Sequence, residues 1–131
     1  MDSIKFVGEV QSSLKDIKDC PLQESEGAPE ATIRIGSEYL PALQGLKKGS
    51  KIVVITWLHK GDRATLTTKP RNDPKAQDRG VFATRSNDRP NPIGLHEVEV
   101  TDISDKGTIK VSNLEVLDGT PIIDIKISLN Y

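Results

Sequence analysis

The sequence predicts an all-β fold, a small closed or nearly closed β-barrel of six to seven strands with short helical turns. Three observations carry that expectation. Hydrophobic residues recur with a period of two rather than 3.6, which is how a strand with one wet face reads. Turn-forming residues separate these runs at regular intervals, the punctuation of a barrel or sandwich. Helical spacing is confined to one short stretch.

In chain order, Ile4 to Val10 is the first strand candidate. Ala31, Ile33 and Ile35 alternate with Thr32 and Arg34 and give the second. Leu40, Leu43 and Leu46 have helical spacing. Pro41 allows helix only from there onward, and Gly45 and Gly49 end it within a turn or two. Lys51 to Leu58 is apolar and β-branched, which predicts a strand covered on both faces. Thr67 to Asp78 is a long irregular stretch holding Pro70, Asn72, Asp73 and Pro74; loops of that length in small domains are usually functional or mobile. Gly80 to Thr84 is a short strand candidate. Val98 and Val100 alternate with Glu97, Glu99 and Thr101, and Ile109 and Val111 with Thr108, Lys110 and Ser112. Asp105-Lys106-Gly107 joins these two as a hairpin turn with Gly107 suited to positive φ. Asp118 to Pro121 is a further turn. Ile123, Ile125, Ile127 and Leu129 then alternate with Asp124, Lys126, Ser128 and Asn130 in the last strand.

The chain has 131 residues, enough for one domain spanning 1–131. Only 35% of residues are hydrophobic and 4% aromatic, so the core is thin and a partner subunit is expected to supply part of the burial. One cysteine, Cys20, excludes an intrachain disulfide and reads as an inert thiol. His59 and His96 lie far apart with no clustered Cys or carboxylate, so no metal is expected. Charged residues in the first ten positions argue against a signal peptide, and Ile52 to Ile55, the longest apolar run, is too short to span a bilayer. The expectation is a soluble, cytoplasmic domain. Its net charge of -1 hides a local pattern: residues 60–90 hold 8 basic and 4 acidic groups, while residues 91–131 hold 3 and 7. The middle stretch is where an anionic ligand would find favourable potential.

Arg79 to Leu95, RGVFATRSNDRPNPIGL, lies mostly in that stretch. Pro90 and Pro92 fix φ and remove two donors, and Asn91 between them is pushed toward extended backbone. Gly80 and Gly94 bracket the segment. It reads as a rigid, irregular loop that holds Arg79, Arg85, Arg89, Ser86 and Asn87 in place. On physics alone it is equally a pinned turn and a preorganised binding loop.

RGVFATRS, RPNPIG and the later LDGTPIIDIK (Leu117 to Lys126), with Trp57-Leu58-His59 and Cys20-Pro21-Leu22-Gln23 in the same order, resemble the TsaA-like (TrmO) family. Its characterised members are S-adenosylmethionine-dependent tRNA methyltransferases that act on N6 of the threonylcarbamoyladenosine next to the anticodon. The resemblance implies a β-barrel that forms a homodimer, with the cofactor near the dimer interface. It assigns cofactor contacts to Pro21, Gln23, His59, Lys60, Arg85 and Leu95. Backbone groups of Asn113, Leu114, Glu115 and Val116, in a strand entering the Asp-Gly-Thr-Pro turn, would add to them. Asp124 is the catalytic candidate, and Arg79, Arg89 and Lys126 are candidates on the substrate side. The residue types suit these roles. A glutamine such as Gln23 reads polar edges by hydrogen bonds, an arginine such as Arg85 suits a carboxylate, and Asp124 could hold a nitrogen or accept its proton.

The chain departs from the family pattern at three places. Leu22 replaces an arginine, Asn87 replaces a common proline, and Ile127-Ser128 replaces a Pro-Tyr pair whose tyrosine is functional; Tyr131 is three residues beyond. The rival expectation is therefore an S-adenosylmethionine-binding module without tRNA activity, or a methyltransferase for another small acceptor.

Overall fold

A computed structural model of the chain describes residues 2–13, 30–69, 75 and 77–129. Within them, β1 (Gly8–Gln11), β2 (Ala31–Ile35), β3 (Lys51–Trp57), β6 (Ile93–Ile103), β7 (Thr108–Val111) and β8 (Pro121–Ile127) close into an antiparallel barrel. Their order around it is β1-β2-β7-β6-β3-β8. Two short strands, β4 (Thr67–Thr68) and β5 (Arg79–Gly80), form a separate ribbon. The all-β barrel expected from the alternation is the fold. No helix among the described residues is long and apolar enough to cross a membrane.

The alternating positions fill the interior. Val10, Ile33, Ile52, Val54, Val100, Ile109, Val111, Leu114 and Ile122 have no exposed surface. This core is wholly aliphatic. Phe6 and Phe82 are 51% and 89% exposed, so these two rings lie on the outside. The hairpin turn forms as expected, with Gly107 at φ 91° and its N–H donating to Ser104 O at 3.2 Å.

Several elements differ from the sequence reading, each for a local reason. β3 is covered on one face only. Ile52, Val54 and Thr56 point inward, while Val53, Ile55 and Trp57 are half-buried on the outer surface. The first strand is Gly8–Gln11 rather than Ile4–Val10, and Ile4 and Phe6 are exposed. The Leu40 region forms a 3-10 helix over Ser37–Leu43, beginning ahead of Pro41. A 3-10 run needs few consecutive bonds, so the missing proline donor is tolerated, and Gln44 N–H bonds to Pro41 O at 3.3 Å. Gly45 and Gly49, at φ 97° and 94°, then end the stretch as expected.

The strand expected over Gly80–Thr84 is only Arg79–Gly80, followed by a 3-10 turn at Val81–Ala83. Thr84 N–H and its hydroxyl both donate to Val81 O, at 3.1 and 2.9 Å, so that carbonyl is used locally rather than in a ladder. Ile93 to Leu95, read as part of the loop, open the eleven-residue β6. Asn113 to Val116 is irregular rather than a strand, and Asn113 turns the chain with φ 57°.

The last strand holds a bulge. Ile55 pairs with Asp124, but Thr56 pairs with Ile122, so Ile123 is an extra residue. The bulge brings Ile122 inward in place of Ile123, while Ile127 is 57% exposed. Simple alternation cannot show such a one-residue insertion.

Candidate functional site

Three stretches of chain meet at one end of the barrel and enclose a cavity of about 610 Å³. That lies within the ~300–1,000 Å³ typical of small-molecule sites. The first wall is the exit from β3, Leu58 to Gly61; the second is the β4–β5 ribbon and the segment Ala83–Asp88; the third is Glu115, Val116, Leu117 and Thr120 from the β7–β8 connection.

The first two walls are joined by directed polar contacts. Leu58 N–H donates to Pro92 O at 2.7 Å, and Asp62 N–H to the Asp88 carboxylate at 2.8 Å. Arg63 Nε donates to Pro90 O at 2.8 Å while its guanidinium lies 5.1 Å from the centre of the Trp57 ring, a cation–π distance. Gly61 fits because it has no side chain. A Cβ there would lie 2.9 Å from Pro92 Cβ and in still closer contact with the Asn87 carbonyl oxygen.

The second wall is organised by Arg89. Its guanidinium donates to three main-chain carbonyls, Val81 O at 2.6 Å, Ser86 O at 2.9 Å and Thr84 O at 3.3 Å. Ser86 N–H donates to Thr84 Oγ1 at 3.2 Å, and Asp88 N–H to Ser86 Oγ at 3.1 Å. The planar donor fork of an arginine suits this multiple capping. The third wall hangs from the core: Leu114 and Val116 are buried on either side of Glu115, and Thr120 Oγ1 donates to Leu117 O at 2.6 Å.

Lys60, Lys69, Arg79 and Arg85 bring four cations to the rim, against the carboxylates of Asp88 and Glu115. Leu58, Val116 and Leu117 contribute apolar surface. Such a site favours a ligand with a flat apolar part and an anionic group. Among the described residues there is no cluster of three His, Cys, Asp or Glu able to hold a metal.

The expected site residues fall into groups. His59, Lys60, Arg79, Arg85, Glu115 and Val116 converge on the cavity. Leu114 is buried in the core and Asn113 exposed on the turn before it. Arg89 lies behind the second wall, engaged with the carbonyls above. Leu95, Asp124 and Lys126 are on the outer face of the barrel: Ile55 pairs with Leu95 on one side and Asp124 on the other, and Val53 with Lys126. Pro21, Gln23, Cys20, Leu22 and Tyr131 lie outside the described residues. His96 Nε2 is 2.9 Å from the buried Thr56 hydroxyl, in line with a structural role.

Sequence reasoning did not single out Leu58, Gly61, Thr68, Lys69, Thr84, Asp88, Leu117 or Thr120 as cavity residues. Lys69 carried a weak signal as part of the basic stretch. Leu117 and Thr120 lie within the LDGTPIIDIK run and read only as motif and turn, since barrel closure is what brings them to the cavity.

Residues 9–131 match the family model for the tRNA-methyltransferase O N-terminal domain. A relative from Methanothermobacter thermautotrophicus, named "Probable S-adenosyl-L-methionine-binding protein", is 43% identical over 123 residues, covering 94% of this chain and 87% of its own. An Archaeoglobus fulgidus protein named "S-adenosyl-L-methionine-binding protein" is 38% identical, covering 94% of this chain and 86% of its own. The crystal structure of TrmO from Pseudomonas aeruginosa superposes on the whole chain with a TM-score of 0.79 at 28% identity. This chain spans 57% of the length of that solved chain.

Proposed function

The chain belongs to the tRNA-methyltransferase O N-terminal domain family, and on that premise we propose that it is an S-adenosylmethionine-dependent methyltransferase acting on threonylcarbamoyladenosine beside the tRNA anticodon. One observation carries the reading. Six residues expected to serve the cofactor or substrate, from three separate stretches of chain, converge on one cavity.

The cavity walls fit the cofactor. Arg85, with Arg79 and Lys60 nearby, suits its carboxylate. Glu115 can accept from its ribose hydroxyls. Leu58, Val116 and Leu117 offer apolar cover for the adenine. When bound, S-adenosylmethionine supplies a methyl group on a sulfonium cation. The protein's own part is to hold the acceptor in line and exclude water, since positioning supplies much of the rate in such displacements. Asp124 is exposed and takes the role of orienting the acceptor nitrogen or accepting its proton.

Asp124 and Leu95 lie in one row across Ile55, on the outer barrel face rather than on the cavity wall. A homodimer reconciles the two places, with one subunit's outer face closing the partner's cavity. The apolar character of that face supports it: Val53, Ile55 and Trp57 are half-buried, and Ile93 and Leu95 are 39% and 51% exposed. An enzyme with a tRNA acceptor would work in the cytoplasm.

A second reading is favoured by Ser128. It stands where the family carries its functional tyrosine, and it is buried, 3% exposed, with its N–H on Lys51 O at 2.9 Å. A cofactor-binding module, or a methyltransferase for another small acceptor, would have that feature. Calorimetry with S-adenosylmethionine and nucleoside mass spectrometry of treated tRNA separate the readings. Methylated threonylcarbamoyladenosine establishes the first. Cofactor binding with unchanged tRNA leaves the second, and no binding heat removes both.

A further inference from the structure

Phe82 is the most exposed large apolar side chain among the described residues, at 89%. A single exposed apolar residue needs no explanation by itself, but three features set this one apart. It sits in the middle of the 3-10 turn Val81–Ala83, which is held from behind by the Arg89 fork on Val81 O and Thr84 O. The turn is also fixed from the side, where Val81 N–H donates to Leu66 O at 2.9 Å, and Leu66 is itself 65% exposed. The adjoining residue, Ala83, lines the cavity, as do Arg79, Arg85 and Lys69 around it. A turn held on two sides thus carries a bare aromatic ring next to a wall residue of a cavity rimmed by cations.

That combination has a specific chemical meaning. Single-stranded nucleic acid is bound by cationic surface that follows its phosphates and by aromatic rings that stack on its bases. An enzyme working on a base must also take that base out of its stack and hold it. Because the turn is already ordered, stacking on Phe82 would need little further loss of freedom. The apolar outer face around Ile93 and Leu95 is a separate surface on β6, so the barrel has another place for a subunit contact.

We infer that Phe82 is the stacking platform for an unpaired base of the RNA substrate, placing the acceptor nucleoside or its immediate neighbour over the cavity. The inference rests on the tRNA reading above and adds a residue that determines acceptor recognition.

The test uses the full chain and a fluorescein-labelled RNA hairpin with the anticodon-loop sequence, read by anisotropy at fixed salt. Phe82→Ala and Phe82→Leu should each weaken RNA binding roughly 5- to 150-fold, the range for losing one base–aromatic stack. Phe82→Trp should retain binding, and all three should bind S-adenosylmethionine as the parent does in calorimetry. Phe82→Leu keeps an apolar side chain, so a wild-type affinity for that variant overturns stacking. Wild-type affinity for Phe82→Ala overturns the inference while leaving the tRNA reading intact. If the parent chain binds cofactor but no RNA, the tRNA reading fails and the inference with it. If Phe82→Ala converts a dimer to a monomer in sedimentation, Phe82 is a subunit contact and the inference is likewise overturned.

Discussion

Arg89→Ala should loosen the Val81–Ser86 segment without unfolding the barrel. Three carbonyls lose their donor, at 2.6, 2.9 and 3.3 Å. Hydrogen bonds to a charged group are worth about 1.5–3 kcal/mol each, but neutral-scale values of about 0.5–1.5 apply where water can replace the donor. Arg89, Thr84 and Ser86 are half-buried and only Val81 is buried, so water can replace most of the lost donors and the lower scale governs. The three bonds share one guanidinium and are not independent, which brings the sum to about 2–3 kcal/mol. The barrel strands make their own ladders, so this loss appears as local opening. Native-state hydrogen exchange should show the amides of Val81 and Thr84, bonded to Leu66 O and Val81 O, exchanging roughly 30- to 140-fold faster. Core amides such as Ile33 and Ile109 should be unaffected. Arg89→Lys should restore only part of the protection, since an ammonium lacks the planar fork. Parental exchange at Val81 and Thr84 in the alanine variant would refute the reasoning, and so would equal acceleration throughout the barrel.

Other expectations follow from the same structure. Arg85→Ala should weaken S-adenosylmethionine binding by about 1–3 kcal/mol in calorimetry; an unchanged affinity removes Arg85 from the cofactor contacts. Gly61→Ala forces a Cβ against Asn87 O and Pro92, so overpacking should cost about 1–3 kcal/mol and lower both melting temperature and cofactor affinity. Thr101 is the extra residue of a second bulge, in β6, and its buried hydroxyl has no partner. Thr101→Val should therefore raise stability by about 1 kcal/mol in urea titration, and a lower midpoint counts against that account. Leu95→Asp places a charge on the exposed outer face and should give a folded monomer in sedimentation. A species of parental size would show that the face is not the subunit contact.

Much of the fold was legible because strand alternation and turn chemistry are local. Ile33, Ile109 and Val111 alternate with polar neighbours and are buried, and Gly107 takes the positive φ that its turn requires. The motif segments RGVFATRS, RPNPIG and LDGTPIIDIK likewise identified the family, because they are contiguous runs of sequence. The family resemblance also pointed to six of the residues that meet at the cavity, of which Arg79 and Arg85 lie within these runs.

The rest depended on contacts between distant parts of the chain. Whether Val81–Ala83 extends as strand or curls into a 3-10 turn is decided in part by a guanidinium eight residues away. Whether Ile122 or Ile123 faces inward is decided by the bulge opposite Ile55 and Thr56. The outer face of β3 has apolar side chains that no neighbouring element fully covers, so composition read it as buried on both sides. By itself, the sequence determined that the chain forms an all-β barrel of this family, since both signals lie in short local runs. The tertiary structure decided how the candidate site is divided. Barrel closure brings His59, Arg85 and Glu115 to one cavity, while strand alternation and register put Leu95 and Asp124 on the outer face.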